Sequence, residues 1–351
     1  MERGDARRRW LIAAAIGASL VLAACGGQVS PSATAPSTTT SPLPSMGASI
    51  APGPSVAPSV RPSPSPALPA SATLRIERSA IRLPAGRSRA VALPIGSGIL
   101  VCGGLTAGGT TSSILRIDIA SGRISQAGFL PAPVHDAGGA VLNGTGFIFG
   151  GGRFGPGSTV QSVGATGHGA SVGHLPAIRA DLAAVTVDGK LVLVGGGTTT
   201  FYDRRVLTTI DGIHFAVVAT LLVGVRYPAV ATEGGLVYVI GGSTPTGDST
   251  AIQAIDPRTG LVRNVGHLVH GLSHASAFVV GGTLFIAGGR TGGRAQDTLL
   301  KLDPTTGAVR QVGHLPYAVS DMAAVVIGTT GYLIGGETAG PVASIIAVSL
   351  P

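Results

Sequence analysis

The chain has 351 residues, enough for one large domain or two small ones, and carries 55 glycines with only 4% aromatic and 11% charged residues. Such a glycine-rich, charge-poor composition suits a compact all-β protein with many tight turns. The formal net charge is +8 and falls to about +6 if residues 1–24 are removed. The remaining Arg and Lys are scattered, which excludes the clustered basic face of a nucleic-acid-binding protein. Only loose attraction to an anionic envelope fits such a charge.

Taken in chain order, the first element is an address. A basic run, Arg7-Arg8-Arg9, precedes an apolar stretch over residues 10–24. That stretch is short for a membrane span, which needs about 20 residues, and fits the core of a signal peptide. It ends in Leu22-Ala23-Ala24-Cys25-Gly26, which resembles the bacterial lipobox. The resemblance implies cleavage after residue 24 and acylation of Cys25, with two or three chains holding the protein on the membrane surface. An ordinary signal peptide with an incidental cysteine is the alternative.

Residues 25–71 form the second region. After Cys25 they are mostly Pro, Ser, Ala, Thr and Gly, with Arg61 the only charge. Too little apolar surface is available there to offset the ordering entropy, so a disordered, lipid-anchored linker is expected. Its proline content stiffens it, giving a reach on the order of 100 Å at ~3.1 Å per residue.

From residue 72 to 351 the sequence repeats. Six apolar runs end in a glycine pair: Gly103-Gly104, Gly150-Gly151, Gly195-Gly196, Gly241-Gly242, Gly288-Gly289 and Gly335-Gly336. A leucine stands twenty residues before each first glycine, at Leu83, Leu130, Leu175, Leu221, Leu268 and Leu315. Each repeat reads as four short strands. In the third repeat these fall at 182–187, 190–194, 206–210 and 213–220, with Asp188-Gly189 as a hairpin turn. Asp256-Pro257-Arg258-Thr259-Gly260 and its counterpart at 303–307 supply third-to-fourth turns. Asn143-Gly144-Thr145 matches a glycosylation sequon but reads first as a hairpin turn.

Repeats of 45–47 residues with a double glycine resemble the kelch motif, and the resemblance covers about residues 74–351. It implies an all-β, six-bladed β-propeller. The outer strands depart from the pattern, because the sole tryptophan is Trp10 and valine and isoleucine stand where kelch repeats carry one. The sixth repeat stops after its third strand, whereas residues 72–78 look like an orphan outer strand. The N-terminal strand should therefore complete the last blade and hide two sheet edges.

Six residues past each marker leucine the inner strand begins at the channel mouth. The register gives Arg89, Asp136, Asp181, Tyr227, His274 and Asp321 as a converging polar ring, with Arg87, His135, Arg179 and Arg226 just before. Three aspartates and a histidine have the chemistry to hold Ca²⁺, to bind a polar sugar, or to act as acid and base. A channel mouth is also polar in any propeller, and arginine–aspartate pairs can neutralise each other. His174, His267 and His314 recur at one repeat position in three blades, too far apart to share an ion. Cys102 reads as an inert core thiol.

No cofactor is required by these motifs, and no phosphate loop or nucleophile elbow is present. The leading expectation is a monomeric binding module, anchored outside the cytoplasmic membrane through acylated Cys25, that engages an envelope protein or glycan through one propeller face. The alternative is a carbohydrate-active enzyme of epimerase or lyase type using the ring. Full pairing of the ring aspartates with arginine argues for the first. A displaced pKa in a concave pocket argues for the second.

Overall fold

The apolar runs fold as six four-stranded antiparallel sheets, in a computed structural model that describes residues 74–350. The signal peptide, Cys25 and the linker lie outside the described residues. The fourth blade is representative, with strands Ala229–Glu233, Leu236–Ile240, Ala251–Asp256 and Leu261–His267 paired in chain order from the axis outward. Among the described residues there is no helix, and so none that could cross a membrane.

The glycine pair explains itself in this geometry. The first glycine of every pair has a φ between 59° and 66°, and a Cβ there would lie within 3 Å of a carbonyl oxygen of the next blade. The second glycine's N–H donates to that same carbonyl. The partners are Val134, Arg179, Val225, Leu272, Val319 and Arg87, at 2.7 to 2.9 Å. A side chain would clash and a left-handed backbone would strain it, so glycine is required at this blade-to-blade stitch. The sixth stitch, from Gly336 to Arg87, joins the end of the chain to its beginning.

Between the blades lie six apolar clusters, one per interface. Leu93, Leu100 and Ile114 of blade one meet Ile148 and Val163 of blade two. The circle closes where Ile99, Val101 and Ile117 of blade one meet Val325, Ile334 and Ile345 of blade six. Burial on both faces explains why the second strands read as unbroken apolar runs, since every such residue leaves water on one side or the other.

Blade six is completed from the N-terminus. Strand Arg75–Arg82 pairs antiparallel with Ser344–Ser349, outermost in its sheet. It runs four residues further than the sequence suggests. In blade three the outer strand begins at Ala216 rather than at Ile213. The cause is a turn held by Asp211, whose carboxylate accepts the N–H groups of Ile213 and His214 at 2.8 Å. Asn143-Gly144 and Asp188-Gly189 are hairpin turns, with positive φ at all four residues.

Candidate functional site

The residue six past each marker leucine is left-handed in all six blades. The φ values of Arg89, Asp136, Asp181, Tyr227, His274 and Asp321 lie between 51° and 61°. Each of their N–H groups donates to the carbonyl of the equivalent residue one blade back, at 2.8 to 3.3 Å, so six peptides form a closed hydrogen-bonded circle about the axis. Left-handed backbone costs a non-glycine residue roughly 1–2 kcal/mol. Aspartate and histidine tolerate it better than arginine and tyrosine. Their side chains line one cavity of about 130 Å³.

The sequence register thus brings all six together, and the side chains are cross-bonded. Arg89 lies 3.3 Å from Asp136, 3.7 Å from Asp321 and 3.4 Å from Glu337. Arg226 is bonded to Asp181. His274 Nδ1 lies 2.7 Å from Asp321 Oδ1, and Arg290 lies 3.6 Å from the other oxygen of that carboxylate. The His274 ring stacks on Tyr227 at 3.8 Å between centroids, and the Arg226 guanidinium lies over Tyr227 at 5.5 Å. Every ring aspartate therefore faces at least one arginine.

The three carboxylates do not behave alike. Burial pushes Asp136 up to about 7; Arg89 pulls against this, while the charges of Asp181 and Asp321 add to it. Burial would also raise Asp321, but the His274 hydrogen bond and charge, the Ser320 hydroxyl and Arg89 outweigh it and hold this group below its ordinary value. Tyr227 is pushed well up, by burial first and then by Asp136 and Asp181. Burial and the charge of Arg89 lower His135.

Beneath the ring the channel is lined by Ala92, Gly139, Ala184, Val230, Ala277 and Ala324. A paired, polar cup thus sits on a narrow apolar throat. Toward blades two and three the cup opens sideways into a cavity of about 330 Å³ that shares Asp136, Asp181 and Tyr227 and adds His135, Arg153, Phe154 and Arg226. Phe154 is 91% exposed, with Arg153 over its ring at 4.7 Å. Phe201, on the corresponding loop of blade three, is 54% exposed.

The neighbouring basic residues divide. Arg226 and His135 reach the cup. Arg87 and Arg179 do not: they occupy the position held by Val134, Val225, Leu272 and Val319 in the other blades and are buried. Arg87 donates to the Val101 and Ser113 carbonyls and the Ser113 hydroxyl. Arg179 is bonded to buried Asp203. His174, His267 and His314 end the outer strands of three separate sheets, and Cys102 is buried in strand Gly98–Cys102. No group of three or more metal-ligating side chains is assembled among the described residues.

Glu337 and Arg290 belong to the cup but do not stand out in the sequence. Both directly follow a glycine pair, and that position bridges the residue just before the ring residue, as in Ser320 with Glu337 and Ser273 with Arg290. Extending the repeat register by one residue would have found them. Phe154 carries no periodic signal, because its loop is peculiar to blade two.

Six four-stranded sheets closed around a polar-mouthed channel define a six-bladed β-propeller. Residues 271–316 match the family model described as Kelch motif, and the described chain is a kelch-repeat β-propeller, which suggests a protein-binding or scaffold module. The solved structure titled "Structure of YjhT" superposes with a TM-score of 0.65 at 16% identity, over 77% of this chain and 98% of that one. At that identity the likeness speaks for the fold alone. No curated protein matches the chain.

Proposed function

We propose that the propeller is a non-enzymatic binding module, held outside the cytoplasmic membrane through acylated Cys25, that engages an envelope protein or glycan through its ring face. One observation carries this reading. An almost fully exposed aromatic, Phe154, stands at the lip of a cup whose aspartates all face arginine. Exposed aromatics next to satisfied polar groups are what a recognition surface uses as anchors.

The exit point of the chain supports the same orientation. Arg75 pairs with Ser349, which pairs with Thr330 beside the first hairpin of blade six. That hairpin lies on the face opposite the ring, so the linker leaves from the far side and the ring face points away from the anchor.

A single observation favours the second reading, the carbohydrate-active enzyme. Asp136, with its pKa near 7, could exchange a proton at neutral pH. Within the cup, however, its partner Arg89 is itself tied to Asp321 and Glu337. A Ca²⁺ ion at the ring would have to displace Arg89, Arg226 and Arg290 from the carboxylates they face.

The test compares capture of envelope components by full-length protein, by the double variant Phe154→Ala/Phe201→Ala, and by Asp188→Ala on the opposite face. The proposal expects loss of at least tenfold in the double variant alone. Equal capture by all three would overturn it. Turnover of an envelope glycan that vanishes in Asp136→Asn would establish the enzyme reading instead.

A further inference from the structure

A second cavity, remote from the ring, has a ligand preference written into the repeats. It measures about 290 Å³ and lies against the periphery of blade five, with apolar walls from Leu268, Leu272, Leu300 and Val309 and polar groups on Thr298, Gln296 and Gln311. Val269, 83% exposed, forms its lip.

The equivalent positions in blades two and four show what this space is shaped to hold. There the residue matching Leu300 is a buried glutamine. Gln161 Oε1 accepts the N–H of Ala132 at 2.9 Å. Gln253 Oε1 accepts the N–H of Val223 at 3.0 Å, and its Nε2 donates to the Val223 carbonyl at 3.1 Å. The loop residue two past the marker leucine is thus pinned by a side-chain carboxamide. In blade five that loop residue is His270, and its N–H has no hydrogen-bond partner among the described residues. Leu300 supplies hydrocarbon where the sister blades supply an amide.

The surrounding amides are poised to complete the set. Gln296 spends its Nε2 on the Arg294 carbonyl, and Gln311 lies 2.7 Å from His314 through Nε2, so in both the Oε1 atom remains an acceptor facing no protein donor among the described residues. We propose that this cavity binds a primary carboxamide on a short aliphatic stem, such as the glutamine side chain of a peptide partner. The carbonyl accepts from His270 N–H, the NH₂ donates to Gln296 or Gln311, and the stem packs on Leu300, Leu272 and Val309. A carboxylate of the same shape leaves those Oε1 acceptors without donors and is disfavoured.

The test is ligand-observed saturation-transfer NMR on full-length protein with N-acetyl-glutamine N-methylamide as probe. Its glutamate and leucine counterparts serve as comparators. The glutamine probe should bind at least tenfold more tightly than either. Leu300→Gln, which restores the internal amide, should abolish the signal, and Val269→Arg, on the exposed lip, should do so by steric closure without touching the core. Equal binding of the leucine or glutamate probe, no binding of the glutamine probe, or undiminished binding in both variants overturns the assignment. None of these outcomes depends on the ring face.

Discussion

The N–H of Arg89 donates to the carbonyl of Asp321 at 3.0 Å, joining the first blade's ring residue to the last's. The same two residues also approach through their side chains, Arg89 Nε lying 3.7 Å from Asp321 Oδ1. The circle of six peptides therefore closes at the one place where covalent continuity is missing, beside the Gly336–Arg87 stitch. Closure there depends on the N-terminal strand, which completes the adjoining sheet.

Ile76 on that strand is the weak point to strike. It packs against the cluster between blades five and six, within reach of Gly313. Ile76→Asp places an unpaired charge on that seam and should cost on the order of 3 kcal/mol. Urea unfolding followed by fluorescence should show a lower midpoint with aggregation through the freed edge of Ser344–Ser349.

The pH dependence of stability follows from Asp136. Its folded-state pKa near 7 exceeds the unfolded carboxylate value of about 4, so the native state holds a proton that the unfolded chain has lost. Stability from this group is fully present below pH 4 and declines as pH rises toward 7, by an amount on the order of 3 kcal/mol. Asp321 acts oppositely, contributing above pH 4 and losing its contribution as pH falls through its lowered pKa. Denaturation midpoints at pH 5 and pH 8 should therefore differ in the native protein, with pH 5 the more stable, and converge in Asp136→Asn.

Arg179 is only 1% exposed and depends on Asp203, which is 2% exposed. Asp203→Ala leaves the guanidinium buried without its carboxylate and should destabilise the fold by about 3–5 kcal/mol. The double variant Arg179→Leu/Asp203→Ala should recover much of that loss, because leucine is the residue blade five carries at the same position, Leu272. A double-mutant cycle by urea denaturation reads the coupling directly.

Much of this architecture can be read from the chain because the repeat is strict. The glycine pair and the marker leucine serve one contact, the stitch between blades, so their spacing is held in all six repeats. The ring residues share that register, and the structure brings them to one cavity. What the register does not carry is the identity of the side chains that answer them. Arg87 and Arg179 are arginines within the same window yet turn into their own blades, a choice set by Ser113 and Asp203 far away in sequence. Phe154 stands outside the pattern altogether, since a loop that binds need not resemble its sister loops. The outer strand of blade three starts late because a single carboxylate, Asp211, captures two backbone N–H groups.

The anchor has its own test. Cys25→Ala should move the protein from the membrane fraction to the soluble fraction of lysed cells, as loss of the acyl chains removes the attachment. Retention in the membrane fraction would contradict acylation at this residue.

The central claim, recognition through the ring face, is tested most directly by site-specific photo-crosslinking on intact cells. A photoreactive residue is placed at position 154 in one variant and at position 188, on the opposite face, in another. Adducts that form from position 154 and not from position 188 are the predicted result. Adducts from position 188 with none from position 154 would contradict it.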